Sequence, residues 1–135
     1  MQKIKISPSK FDKMMKDLAT QINNVGTKEY DGIFPIPRGG LAMALWLSHR
    51  LDLPIVTELS INTLVVDDIS DTGKTLQFYK KLGNDIACLF TSDWTKSEPT
   101  FWLENKLEKD SWIVFPWENA KTENTYSKGT VGVKK

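Results

Sequence analysis

Three carboxylates and a small-residue turn follow a short apolar run near the middle of the chain. Residues 64–66 are apolar, Asp67 and Asp68 come next, and a turn at 71–75 precedes a segment with helical spacing. Ligands of open α/β sheets bind at the carboxyl ends of strands, and N–H groups at a helix N-terminus attract phosphate. We therefore predict a site for a ligand with a phosphate, a hydroxylated ring and a metal ion. The predicted phosphate-binding turn consists of Asp71, Thr72, Gly73, Lys74 and Thr75.

Two simpler interpretations of the same residues were weighed. Gly73-Lys74-Thr75 matches the end of the P-loop of nucleotide triphosphate-binding proteins, but the first glycine of that signature falls on Asp68. Asp67 and Asp68 could also be solvated residues that only cap a strand. We favour the ligand site over both, because the carboxylates and the glycine turn occur together.

The elements that must position this site alternate between strands and helices, which predicts a parallel sheet with right-handed crossovers. Residues 3–6 alternate between polar and apolar, and residues 7–9 suit a turn and a helix cap. Apolar spacing over 11–22 then predicts a first helix that ends near 24–26. Further predicted strands are 32–36, 54–57, 63–66, 85–91 and 111–115, and further helices are 41–51, 75–82 and a short one over 100–107.

Composition predicts one globular domain over 1–118, followed by a polar, flexible tail over 119–135. The chain has 135 residues, of which 40% are hydrophobic, and a formal net charge of +1 that gives no footprint for nucleic acid. The N-terminus has no apolar segment suited to a signal peptide or a membrane span, so we expect a cytoplasmic protein. Cys88, the single cysteine, is interpreted as a core residue, and His49, the single histidine, as a surface residue.

Residues 65–75, Val-Val-Asp-Asp-Ile-Ser-Asp-Thr-Gly-Lys-Thr, resemble the 5-phosphoribosyl-1-pyrophosphate (PRPP) signature of type I phosphoribosyltransferases. Residues 32–41 resemble the family's pyrophosphate loop, and 110–118 are similar to the base-binding end of bacterial xanthine-guanine phosphoribosyltransferases. The resemblance extends from about residue 3 to 118. It implies an open parallel sheet flanked by helices, with a small base-binding hood from the C-terminal segment, and a homo-oligomer.

The resemblance also implies roles for single residues in the transfer of phosphoribose from PRPP to a 6-oxopurine. Asp71 would be the general acid/base, and Asp68 the contact to Mg²⁺. Residues 71–75 would hold the 5-phosphate, with Asp67 and Asp68 facing the ribose. Arg38, Gly39 and Gly40 would bind pyrophosphate, with a cis peptide bond between Pro37 and Arg38. Trp112 would stack on the purine, and the backbone of Ile113 would contact the edge of its ring.

Two departures from the family pattern are visible. Residues 51–62 leave no room for the long mobile loop that closes over the site in relatives, so we expect a shortened or missing lid. Relatives selective for 6-oxopurines carry a lysine where this chain has Ser92, and Lys96 is the nearest candidate. These departures leave an alternative open, in which the chain is a PRPP- or nucleotide-binding sensor with weak or lost transfer.

Overall fold

The computed structural model describes residues 2–26, 29–106 and 108–118. Three helices are present in this part, α1 (Pro8–Val25), α2 (Gly39–Leu51) and α3 (Lys74–Lys81). The side chain of Ser7 caps α1 by accepting a hydrogen bond from the N–H of Lys10, and Pro8 stands at the first turn, where its missing N–H costs little. Gly26 ends the helix with an N–H bond to the carbonyl of Ile22.

The central sheet is parallel, as predicted, and has the order β2-β3-β5. Its strands are β2 (Gly32–Pro35), β3 (Thr63–Val66) and β5 (Ile86–Ala87). Alternate residues of β3 enter different cores, because successive side chains of a strand point to opposite faces. Leu64 and Val66 join the larger core with residues of α1 and α2, whereas Val65 packs with Leu76 of α3. Helices therefore cover both faces of the sheet.

Two smaller sheets extend this sheet toward the site. One contains β4 (Ile69–Ser70), β6 (Phe90–Ser92) and β7 (Glu104–Lys106), all parallel and in the order β4-β6-β7. The other pairs β1 (Lys3–Lys5) with β8 (Trp112–Val114), also in parallel. The C-terminal strand of the expected hood is thus paired with the N-terminal strand. These parallel sheets and their flanking helices confirm the predicted fold class.

Three predicted elements differ from the structure. The strand expected over 85–91 is divided into β5 and β6, which pair with β3 and β4. The strand expected over 54–57 is reduced to one bridge between Ile55 and Ile33. The helix expected over 100–107 is wrong: the N–H groups of Thr100 and Phe101 both bond to the carbonyl of Ile86, and β7 follows. Long-range sheet bonds satisfy the backbone there, so a helix offers no advantage.

The tail predicted over 119–135 lies outside the described residues, and the single-domain boundary at 118 stays a prediction. Cys88 is fully buried, in agreement with its interpretation as a core residue, and burial raises the pKa of its thiol. Among the described helices, none combines the length and the apolar character needed to cross a membrane.

Candidate active site

Asp67 and Asp68 lie where β3 gives way to β4, at a bend in the sheet. The bend is held by the backbone: Asp67 donates its N–H to the carbonyl of Ala87, and the carbonyl of Asp68 accepts from Leu89 and Phe90. Burial, together with the neighbouring negative charge of Asp68, raises the pKa of Asp67 well above its usual range. Burial also raises the pKa of Asp68 to about 6, and the charge of Glu118 contributes. Both carboxylates are thus in a place that would favour a cation.

The turn at Pro37 and Arg38 faces this acidic bend. A Cβ atom at Gly39 would overlap the carboxylate of Asp68, and one at Gly40 would overlap the carbonyl of Val66. Glycine is therefore required at both positions for α2 to begin this close to the end of β3. The peptide bond between Pro37 and Arg38 is cis, as expected, and the Arg38 side chain is exposed.

The predicted phosphate turn leads directly into α3. Gly73 has a left-handed conformation with φ 81°, and a Cβ atom there would overlap Thr95 and the backbone of Lys96 and Ser97. The N–H of Lys96 also bonds to the carbonyl of Thr72 at 2.8 Å, so residues 95–97 support the turn from behind. Thr72, Lys74 and Thr75 are exposed at the start of the helix, where an anion would be attracted.

Asp71 is held from both sides by donors. The indole Nε1 of Trp94 donates to its Oδ1 at 2.7 Å, and the Nζ of Lys106 donates to its Oδ2 at 2.8 Å. The hydroxyl of Ser92 donates to the backbone carbonyl of Asp71 at 2.6 Å. The Lys106 side chain is only 5% exposed, whereas that of Asp71 is 38% exposed. The carboxylate is therefore oriented, yet it remains open to a ligand.

A cavity of about 130 Å³ adjoins Asp71. It brings together the acidic bend, the phosphate turn and the hood, because residues from β4, β7 and β8 all line it. Its lining includes Asp68, Ile69, Asp71, Lys106, Ser111, Trp112, Ile113, Phe115 and Glu118. Trp112 and Ile113, predicted to bind a base, thus lie at the same cavity as the predicted acid/base. The cavity offers an aromatic ring, carboxylates and one ammonium group.

Sequence reasoning missed Lys106 and Trp94. Lys96, the candidate that spacing suggested, has an exposed side chain, whereas Lys106 is buried against Asp71. Lys106 belongs to β7, in a segment that was predicted to be helical, so its proximity to Asp71 was not foreseen. His49 lies on α2 beside Trp46 and Arg50, in a separate shallow groove of about 410 Å³. Its interpretation as a surface residue agrees with this position.

The acidic bend has the ligand chemistry of a magnesium site that other ligands would complete. Among the described residues, no group of three His, Cys, Asp or Glu side chains could hold a metal by itself. Mg²⁺ commonly binds one or two carboxylates and completes its shell with phosphate oxygens and water. Asp67 and Asp68 supply two carboxylates, and burial raises the pKa of both, so a nearby cation would favour their charged forms.

Comparison with known proteins agrees with this geometry. A purine phosphoribosyltransferase from Pyrococcus horikoshii Ot3 is 32% identical and superposes with a TM-score of 0.73, over 88% of this chain and 95% of that one. The chain belongs to the purine phosphoribosyltransferase family. The resemblance noted in the sequence is thereby confirmed.

Further relatives of this phosphoribosyltransferase are more distant. A xanthine-guanine phosphoribosyltransferase from Desulfotalea psychrophila is 24% identical, over 93% of this chain and 92% of the relative. A xanthine-guanine-hypoxanthine phosphoribosyltransferase from Helicobacter pylori is 24% identical, over 93% of this chain and 99% of that one, and shares the fold with a TM-score of 0.73. No protein-family model matches the chain.

Proposed function

We propose that this protein transfers the 5-phosphoribosyl group of PRPP to a purine base that carries a 6-oxo group. The products are a nucleoside monophosphate and pyrophosphate. The observation that carries the proposal is the position of Asp71: it belongs to the phosphate turn, and it lines the cavity that Trp112 and Ile113 also line. One carboxylate thus stands between a place for the sugar phosphate and a place for a flat ring.

The phosphate turn would bind the end of PRPP that does not react. Its helix N-terminus and exposed threonines suit the 5-phosphate, so binding energy there can orient the sugar. The turn at Arg38, Gly39 and Gly40 would bind the departing pyrophosphate through its guanidinium and backbone N–H groups. Asp67 and Asp68 would hold Mg²⁺, whose chemistry there would be to supply positive charge to the leaving group.

Asp71 would accept the proton of the incoming base. In the transfer, the bond from the anomeric carbon to pyrophosphate breaks, a bond to a ring nitrogen forms, and that nitrogen loses its proton. Trp94 and Lys106 each use one acceptor site of the carboxylate. A carboxylate has about four such sites, so sites remain for this proton. General base catalysis by a positioned carboxylate contributes typically about 10²- to 10⁴-fold.

A nucleotide-binding sensor is the second candidate. Residues 52–62 alone connect α2 to β3, and they form one bridge with β2 through Ile55. A lid shortened in this way would expose the site to water and weaken transfer. A protein from Neisseria gonorrhoeae that is 23% identical, with a TM-score of 0.67, was crystallised with bound ppGpp. The homo-oligomer and the cytoplasmic location expected from the sequence also stay predictions.

The deciding experiment measures pyrophosphate release from PRPP and Mg²⁺ with guanine, hypoxanthine, xanthine, adenine or no base. We expect release that depends on a 6-oxopurine and that falls about 10²-fold or more in Asp71→Asn. Asp93→Asn, at an exposed position, is the matched control. Release that is equally fast without a base would indicate hydrolysis of PRPP. No release despite measurable PRPP binding would favour the sensor.

A further inference from the structure

Lys106 is a buried lysine with one short hydrogen bond, to Asp71. It ends β7, its side chain is 5% exposed, and its ammonium contacts the half-exposed carboxylate of Asp71. Burying an ammonium group is costly unless the group is paired and hydrogen-bonded. Its second hydrogen bond, to the carbonyl of Lys109, is long at 3.4 Å. An ammonium has three donors, so one more acceptor would complete this site.

The cavity beside Asp71 is where that acceptor would bind. Lys106 and Trp112 line it together, and they come from different strands of two small sheets. A flat ring stacked on Trp112 would therefore place its edge within reach of the Lys106 ammonium, which can donate hydrogen bonds but cannot accept them. An oxygen at that edge would accept a hydrogen bond from Lys106. An amino group at the same place would bring donors against a donor and leave the third donor of the ammonium without an acceptor.

The register of the sheet explains how the chain places a lysine there. Ser92 of β6 and Lys106 of β7 are directly paired in parallel. Paired residues of parallel strands point to the same face, about 4.8 Å apart. Both side chains accordingly contact the same residue, Ser92 at the carbonyl of Asp71 and Lys106 at its carboxylate. A lysine side chain is long enough to cross one strand spacing, so either position could bring an ammonium group to this cavity.

We propose that Lys106 is the residue that selects the base, from β7, in place of a lysine at position 92. It would donate to the oxo group of a 6-oxopurine and disfavour adenine. The inference deepens the proposed function and rests on it, but it concerns a residue that the family motifs do not mark. Lys106 would also keep Asp71 oriented, so it is a positioning residue as well as a specificity residue.

The test separates recognition of the base from transfer. Binding of guanosine and adenosine monophosphates is measured by calorimetry for the wild type, Lys106→Met, Lys96→Met and the exchange variant Ser92→Lys/Lys106→Ser. Methionine keeps most of the volume of lysine and removes its charge. We expect Lys106→Met to lower the preference for the guanine nucleotide about 100-fold, since sites built around a hydrogen bond discriminate strongly. We expect Lys96→Met to keep it, and the exchange variant to regain most of it.

The outcomes distinguish the two proposals. An undiminished preference in Lys106→Met, or a preference lost in Lys96→Met, would overturn the role of Lys106. Equal loss of affinity for both nucleotides, without rescue in the exchange variant, would also overturn it, because a merely structural lysine predicts that result. If the wild type binds the guanine nucleotide selectively yet never releases pyrophosphate, the transferase proposal fails. The binding preference of Lys106→Met would still support or overturn the role of Lys106 in that case. Thermal unfolding of each variant identifies any that do not fold.

Discussion

The candidate active site has a phosphate side and a base side, and different kinds of chain segment form them. The phosphate side consists of residues 37–40, 67–68 and 71–75, in short segments that each join the end of a strand to a turn or helix. The base side consists of Trp94, Lys106 and 111–113, which come from a loop, the end of β7 and the start of β8. Asp71 belongs to the first side by sequence and to the second by its contacts.

This difference shows which functional requirements fall on neighbouring residues of the sequence and which do not. On the phosphate side, backbone groups do much of the binding, so glycine and short spacing are required and the pattern is visible in the sequence. On the base side, a side chain can come from either of two neighbouring strands, because only the position of its functional group matters. Ser92 and Lys106 illustrate this freedom, since they are paired and approach the same aspartate. The base side can therefore change its residues while the phosphate side keeps its motif.

The largest effect is expected from Gly73→Ala on the phosphate side. A Cβ atom there would overlap residues 95–97 and displace the phosphate turn, and displacement of about 1 Å can cost roughly 10²-fold in rate. We expect kcat/KM for PRPP to fall about 100-fold, measured by pyrophosphate release at varied PRPP. Gly83→Ala is a matched control, because Gly83 also has a left-handed φ, 93° against 81°, but a Cβ atom there would only touch Ile61 at 3.5 Å.

Both alanines have an unfavourable backbone conformation, which should cost each variant about 1 kcal/mol of stability. The overlap with residues 95–97 should add to this cost in Gly73→Ala alone. Only Gly73→Ala should lose activity. Similar activity in the two variants would mean that the support from residues 95–97 does not shape the phosphate turn.

An intermediate effect is expected from Trp94→Phe on the base side. The variant keeps an aromatic ring but loses the N–H that donates to Oδ1 of Asp71 at 2.7 Å. A hydrogen bond to a charged group is worth about 1.5 to 3 kcal/mol, so kcat should fall about tenfold or more. KM for PRPP should change little, because the phosphate side is untouched. Steady-state kinetics at varied PRPP and base measure both parameters.

Trp46→Phe is the control for a general effect of removing an indole, since Trp46 lies on α2 in the separate groove with Arg50. A rise in KM for PRPP with unchanged kcat in Trp94→Phe would contradict the positioning of Asp71 by Trp94. It would then place Trp94 with the phosphate side.

The same contrast explains which features the sequence could predict. β3 was predicted over 63–66 and is found there, because three apolar residues that end at acidic side chains are a strong local pattern. The glycine loop at Gly39 and Gly40 and the turn at Gly73 were likewise expected from the motifs. These features depend on neighbouring residues, and local propensity agrees with the final fold.

Lys106 could not be predicted, because its role depends on the register between β6 and β7. The segment from Thr100 has weak apolar spacing. Its backbone forms hydrogen bonds with β5 and β6, which lie earlier in the chain. Sheet pairing of this kind overrides weak local propensity. The division of the strand over 85–91 has the same origin, since the bend at Asp67 and Asp68 in the neighbouring strand imposes it.

The smallest effect is expected in stability, from Asp68→Asn measured without metal. Burial raises the pKa of Asp68 to about 6 in the folded protein, so the folded state holds a proton that the unfolded state has lost. Stability of the wild type should consequently fall as pH rises from about 4 to 6. Asparagine removes this cost. At pH 7.5 the variant should gain on the order of 2 kcal/mol, or roughly 7 °C in Tm, and the gain should shrink toward pH 4.

Thermal unfolding in EDTA across this pH range measures the gain, and Asp12→Asn is the control, because Asp12 forms only an exposed ion pair with Lys16. The same variant should bind PRPP with Mg²⁺ at least tenfold more weakly, since it loses a carboxylate at the acidic bend. Stability and binding would then change in opposite directions, as expected where charge is retained for a ligand rather than for the fold. A variant that is less stable at pH 7.5 and unchanged in binding would instead make Asp68 a structural residue, and the phosphate side would lose its proposed metal contact.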